Sequence, residues 1–320
     1  MIKKRIFFKI IFILFLLSVI FSVSNSCKQK KIEKNEDTTP IFLPAKNEES
    51  KKKVIKFGVI SRYNPMVMYE NYQPIMDYLT VNTPYKFELK LGATYQETED
   101  NLHYGTTDIA SLGAVTFVDC NIKFNAKSIL RPKTKNGDTF YRSIIITRED
   151  STIHSIKDLK GKSFAFASIK STSGNLIPRY YLLNHGIKLE DLKSYTNLSH
   201  HDSVAQAVLK GEYDAGAVKD VIAYKYKPKG LRFIAHSDPI PSVPITVRKD
   251  VDPEMVEAVK KALLKLDPKR PSDREIMKNW DEEFKYGFVE AHNDDYKNIK
   301  DLILDIPRVC GKNCHRGPKG

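Results

Sequence analysis

The alternation of apolar and polar positions divides the chain into α/β units from residue 54 onward. Residues 54–61 (VIKFGVIS) form an apolar run with the β-branched content of a strand. Over 65–79, Met68, Tyr72, Ile75, Met76 and Leu79 recur at helical spacing, so a helix follows. Phe87, Leu89 and Leu91 alternate with polar residues, as in a half-buried strand. Thr94-Tyr95-Gln96-Glu97 has the form of a capping box and opens a helix that Gly105 closes, and 108–112 (DIASL) reads as a short buried strand. This βαβαβ opening predicts a parallel sheet with right-handed crossovers.

A second series starts near Tyr141. Strands are predicted at 143–147 (SIIIT), 164–167 (FAFA), 214–218 (DAGAV), 231–235 and 245–248. Between them lie a capped turn at 155–159, a helix ending at Gly186 and another ending at Gly211. A helix over 253–266 carries Val256, Val259, Leu263 and Leu266 on one face, and the chain from there to about Ile306 reads as amphipathic helix. The two series meet near 138–141 and again near 236–239. That predicts two lobes with two crossings, 54–140 with 236–306 as the first and 141–235 as the second. In such a fold the carboxyl ends of parallel strands face a cleft, where ligands bind.

The first 53 residues read as address and tether. Lys3-Lys4-Arg5 precedes an apolar stretch from Ile10 to Val23, about the length of a signal-peptide core and short for a membrane span. Ser24-Asn25-Ser26-Cys27 then resembles the end of a bacterial lipobox, with Ser24 and Asn25 as departures, and would make Cys27 the lipid-bearing mature N-terminus. An uncleaved anchor is the alternative, and either places the body outside the cytoplasmic membrane. Residues 28–53, rich in Lys, Glu and Asn, form a flexible tether, and 307–320 form a tail.

Composition changes this picture little. The 320 residues carry a formal charge of +13, and 41% are hydrophobic, which excludes wholesale disorder. Residues 1–27 account for +4 and 28–53 for +3, so the body keeps only +6, spread along its length. No basic stripe with interleaved aromatics is present, so nucleic acid is not the expected partner. A mildly basic body suits a small anion.

The strand at 164–167 runs through Ser168-Ile169-Lys170 into Ser171-Thr172-Ser173-Gly174 at a helix start. An ordinary cap needs one hydroxyl. Three hydroxyls, together with free backbone N–H groups and the positive end of a helix, point to an anion, and Gly174 lets the backbone approach closely. His200-His201-Asp202 opens the next helix, where His201 could donate to an oxyanion and titrate near neutrality, or Asp202 could simply cap. Ser173, His201 and Asp214 are the residue types of a catalytic triad, but there is no GxSxG elbow, glycine-rich phosphate loop or zinc spacing. Neither catalysis nor a metal or cofactor is expected.

The segments FGVIS (57–61), DIASLG (108–113), YRSIIIT (141–147), DLKGKSFAF (158–166), STSGNLIP (171–178), HD (201–202), GEYDAGAV (211–218) and SDPIPSVPITVR (237–248) occur in order. From about Val54 to Ile306 the chain strongly resembles the PhnD-like binding proteins of phosphonate, phosphite and phosphate ABC importers. The resemblance implies an α/β, two-lobed type II periplasmic binding fold with parallel-rich sheets, closing on one oxyanion. It also implies a monomer that serves a permease–ATPase complex. Tyr95, Tyr141, Ser171, Thr172, Ser173 and His201 match the family's oxyanion ligands. Family members that take aminophosphonates hold the ammonium with carboxylates, one past the DAGAV-type strand and one in the following IPxDP-type segment. Here the second position is Val243, and near the first lie Asp220 and Val221. Phosphate, phosphite or a small neutral phosphonate is therefore expected before an aminoalkyl ligand, with Asp220 able to accept a P–OH proton or to be a solvated strand-end group.

The same fold could instead sense an oxyanion of arsenic type and signal to a membrane histidine kinase, with Cys120 as a candidate. Cys310 and Cys314 close a five-residue spacing followed by His315. A local disulfide is the leading reading, with free thiols or a long haem-attachment motif as alternatives.

Overall fold

The computed structural model describes residues 52–310, with side chains as far as Asp305. The signal-like segment, Cys27, nearly all of the tether, the side chain of Cys310, and Cys314 lie outside the described residues.

β1 (Val54–Val59), α1 (Pro65–Asn82), β2 (Lys86–Leu91), α2 (Tyr95–His103), β3 (Ile109–Ser111), α3 (Ala114–Phe124) and β4 (Lys127–Pro132) come first. The predicted face of α1 is the buried one, and its start is fixed by Pro65 at the first turn and by Asn64, whose side chain accepts from Val67 N–H. At α2, Thr94 Oγ1 accepts from Glu97 N–H, while Glu97 reaches back to Ala93 N–H rather than to Thr94. The next series is β5 (Phe140–Tyr141), β6 (Ser143–Arg148), β7 (Ser163–Phe166), α4 (Ile177–Asn184), β8 (Ser194–Asn197), α5 (His201–Leu209), β9 (Ala215–Lys219), α6 (Asp220–Tyr226) and β10 (Leu231–His236). The chain returns through β11 (Ile240–Pro241), β12 (Ile245–Val247), α7 (Pro253–Leu264), α8 (Pro271–Met277), β13 (Phe288–Glu290) and α9 (Lys297–Cys310).

Two sheets result. The first has the order β13-β4-β12-β3-β1-β2 and the second β10-β6-β9-β7-β8. Parallel pairing is confined to β2-β1-β3 and β8-β7-β9, and the antiparallel neighbours make both sheets mixed. β5 and β11 pair with each other, Tyr141 opposite Ile240, where the chain passes from one sheet to the other and back. This is the α/β fold that the sequence implies.

The tail departs from expectation. It is not helical throughout: β13 pairs with β4, burying Phe288 at the sheet edge. A three-residue strand is too short to show alternation, so only the neighbouring edge reveals it. β4 and β8 likewise carry no strong pattern, since β8 is only half-buried.

Four contacts tie the ends of the two sheets together. Val115 N–H, at the start of α3, donates to Thr172 Oγ1 at 3.0 Å. His201 N–H donates to the Arg62 carbonyl at 3.2 Å, and His200 Nδ1 lies 2.9 Å from the Ser61 carbonyl. Lys170 donates to both Glu99 carboxylate oxygens, at 2.9 and 2.7 Å, and to Asp119 at 2.9 Å. Glu99 is buried, and its burial pushes its carboxyl up against the opposing pull of Lys170. Removing one partner of such a buried pair leaves an uncompensated charge. Lys170→Met is therefore expected to lower the unfolding free energy by about 3 kcal/mol, and adding Glu99→Gln to recover most of the loss, measured by chemical denaturation at neutral pH.

Candidate anion-binding site

The hydroxyls of the site come from the loop after β7. The backbone folds into a π-type turn over Thr172–Leu176, a rare geometry that recurs at functional sites, with Ser171 as its cap. Ser171 Oγ accepts from Gly174 N–H at 3.0 Å and lies 3.1 Å from His201 Nε2. Gly174 is required here. A Cβ on it would sit 2.3 Å from Ala167 Cβ and 2.8 Å from His201 Cε1, closer than real atoms approach.

His201, the first residue of α5, is held on both ring nitrogens. Lys219 N–H donates to Nδ1 at 3.2 Å, so in the neutral ring the proton sits on Nε2 and points to Ser171. Burial, then the charges of Arg62 and His200, push this ring down to about 3. This corrects the expectation of titration near neutrality. The ring is a fixed neutral donor, because the cleft buries it beside a cation. Asp202 does not cap α5: His200 occupies the cap position, and Asp202 accepts only from the neighbouring Ser203 N–H.

Tyr95 and Tyr141 reach the same hydroxyls. Both rings are buried. Tyr95, from the start of α2, faces Ser171, and Tyr141, from the crossing strand β5, faces Ser173. Burial pushes the Tyr95 phenol up to about 12 and the Tyr141 phenol further in the same direction, so both keep their protons as donors. Ser173 is fixed from behind, its carbonyl accepting from Ser143 Oγ at 2.6 Å. The structure thus brings Tyr95, Tyr141, Ser171, Ser173 and His201 together. Thr172 lies in the same turn, but its Oγ1 is used by Val115 N–H.

Asp220 opens α6 beside Tyr141. Its carboxylate accepts from Arg142 N–H at 3.0 Å and from Val221 N–H at 2.8 Å, and burial pushes it up. Asp214 sits at the opposite end of β9 from the residues that meet His201, bonded to Ser163, so no triad forms. Val243 is buried in the apolar core. Cys120 is buried in α3, and burial beside Glu99 and Asp119 pushes its thiol far up, which makes it inert.

Three charged residues at this site escape the sequence reading. Arg62 follows β1 and is 3% exposed; it donates from Nη2 to Ser111 Oγ at 3.0 Å, and Nη1 meets a Glu283 carboxylate oxygen. The other Glu283 oxygen meets Lys219 Nζ, which lies 3.6 Å from the centroid of the Tyr141 ring. The one local signal for Lys219 is its place as a cation directly after an apolar run. Glu283 comes from the tail, and no local pattern places it there.

Two outcomes follow from this geometry. His201 in the folded protein stays neutral while the unfolded chain takes up a proton below about 6.5, so stability falls as pH drops from there toward 3. Between pH 7.5 and 4.5 the natural protein is expected to lose about 2–3 kcal/mol more than His201→Asn, read from denaturation midpoints. Gly174→Ala is expected to destabilise by about 1–3 kcal/mol through overpacking against Ala167 and the His201 ring, read the same way.

Residues 57–296 match the family described as ABC transporter, phosphonate, periplasmic substrate-binding protein. The phosphonates-binding periplasmic protein of Escherichia coli (strain K12) is 26% identical over 222 residues, which span 66% of this chain and 65% of that protein. The structure of a binding protein component of an ABC phosphonate transporter from Pseudomonas aeruginosa superposes with a TM-score of 0.74 at 20% identity, covering 84% of this chain and 91% of that one. A Prochlorococcus marinus (MIT 9301) protein in complex with methylphosphonate superposes with a TM-score of 0.71 at 22% identity, covering 80% and 99%. The two structures show the type II periplasmic binding fold, and the family match, extending over most of the chain, shows that this protein belongs to the periplasmic substrate-binding proteins of phosphonate ABC transporters.

Proposed function

We propose that the protein captures a phosphorus oxyanion, whether phosphonate, phosphite or phosphate, by closing its two lobes (54–140 with 236–306, and 141–235) upon it, and hands it to an ABC importer. The observation that carries this reading is the convergence of Ser171, Ser173, His201, Tyr95 and Tyr141, all buried and all held as neutral donors. A neutral donor set can hold a charged ligand through hydrogen bonds, roughly 1.5–3 kcal/mol each, and still release it. Thr172 contributes by fixing the turn against α3. The lobes would close because the ligand makes contacts to both that the open form cannot make.

The same reading has the protein working as a monomer on the outer side of the cytoplasmic membrane, anchored by lipid on Cys27 with 28–53 as its tether. Asp220, pushed up by burial, is suited to accept a P–OH proton, which sulfate lacks. An arsenic-type sensor built on Cys120 has no support, since that thiol is buried and inert.

Calorimetric titration of the full-length protein with phosphate, phosphite, methylphosphonate, 2-aminoethylphosphonate and sulfate tests this. One phosphorus oxyanion is expected to bind at micromolar affinity or better with sulfate silent, and silence across the panel overturns the reading. Ser173→Ala is expected to weaken that binding by about 10–100-fold with little change in the melting temperature of the protein alone. Asp220→Asn is expected to narrow the gap between phosphate and sulfate; an unchanged gap removes Asp220 from the site.

A further inference from the structure

The neutral donors explain how one oxyanion is held. They do not explain why two buried cations, one from each lobe, border the same site. Arg62 lies at the end of β1 and Lys219 at the end of β9, each 3% exposed. Both are contiguous with the donor set. The Arg62 carbonyl accepts from His201 N–H, Lys219 N–H donates to the His201 ring, and the Lys219 ammonium rests on the ring of Tyr141. Between the two cations lies a single carboxylate, that of Glu283, with one oxygen on each.

Donor capacity remains unused. Arg62 Nε is fully buried and has no hydrogen-bond partner among the described residues; the Tyr72 ring is 5.8 Å away, its hydroxyl in the field of Arg62 and Asp281. Asp281 acts electrostatically on Arg62 from the side of Asn71 and Tyr72, its oxygens accepting from Asn71 Nδ2 and Glu283 N–H. Each carboxylate here already has a partner within the protein. Glu283 is taken by two cations, Asp281 by Asn71 and backbone, and Asp220 by two backbone N–H groups.

We propose that Arg62 and Lys219 form a second anionic subsite, and that the preferred ligand is a short phosphonate whose organic arm ends in a carboxylate. Its phosphonate group lies on the hydroxyl and imidazole donors. Its carboxylate is received by the two cations in competition with Glu283, the carboxylate they hold in the structure. This deepens the preceding reading and rests on it. An aminoalkyl arm would place an ammonium beside two cations and is rejected. Because the cations come from opposite lobes, the carboxylate arm also draws the lobes together.

The test is calorimetry on the full-length protein with methylphosphonate, phosphonoacetate and 2-aminoethylphosphonate at one pH and ionic strength. Phosphonoacetate is expected to bind at least tenfold tighter than methylphosphonate, and 2-aminoethylphosphonate more weakly than either. Glu283→Gln, which removes the competing carboxylate, is expected to widen the preference for phosphonoacetate. Lys219→Met is expected to collapse that preference to near one. Where a single variant fails to fold, the charge-balanced pair Lys219→Met with Glu283→Gln is expected to show the same collapse. Methylphosphonate binding with no preference for phosphonoacetate, or a preference that survives loss of Lys219, overturns this inference and leaves the preceding reading standing. Failure of every phosphorus acid to bind overturns both.

Discussion

A buried guanidinium sets the electrostatics of the cleft. Arg62 stands where β1 ends, almost fully removed from water, and a charge in that position must find counter-charge or donor-acceptor partners nearby. Its partners come from Ser111 at the end of β3, from Glu283 in the tail, and from the electrostatic reach of Asp281. These segments are distant in sequence and meet only because the β3-β1 pairing and the returning tail place them at one end of the first sheet. Arg62 also acts across the cleft. Together with burial, its charge keeps His201 unprotonated. The character of the hydrogen-bonding site therefore depends on a cation that the local motifs do not include.

The second sheet supplies the complementary half. Its loop after β7 presents hydroxyls in a turn that tolerates only glycine at position 174, and β9 ends in a residue that serves twice. Lys219 fixes the His201 tautomer through its backbone N–H and faces Glu283 through its ammonium. One residue thus couples the neutral donor set to the charged one. Away from this point, Lys170 reaches from the same loop to Glu99 and Asp119 on the first lobe's helices. Polar and charged contacts at strand ends and helix starts thus join the lobes, beside apolar packing in which Phe57 and Val59 share one buried cluster with Val204 and Val218.

The legible part of the fold was the part carried by repeating patterns. α1, with Met68, Tyr72, Ile75, Met76 and Leu79 on its buried face, and the alternating β2 could be read from periodicity. The hydroxyl turn was legible because three consecutive hydroxyls exceed what a cap uses. β13 was not, since three residues hold no period, and its existence depends on the exposed edge of β4. His201 was visible as a donor but its protonation state was not, because that state belongs to the burial and to Arg62. Arg62 carries no local signal beyond being a cation after a strand, and Glu283 is one acid among several in the tail. Both acquire meaning through non-local contacts, Arg62 with Ser111 and Glu283 and Glu283 also with Lys219.

The division between neutral and charged groups carries a consequence for transport. A site that held its anion chiefly through buried cations would gain strongly on closure but would have to break those pairs to let go. In this cleft burial keeps the Tyr95 and Tyr141 phenols protonated and the His201 ring neutral, and the cations are already engaged with Glu283. Their field favours an anion over a neutral molecule, while the internal carboxylate limits how much attraction closure can add. In the cycle of closing and opening proposed above, Glu283 is in place to re-pair both cations, so neither lobe exposes an unpaired buried charge. Selectivity and release can then be set by different residues. In the proposed reading, hydroxyls, phenols and imidazole recognise the oxyanion, and the Arg62–Glu283–Lys219 bridge sets how firmly the two lobes hold together around it.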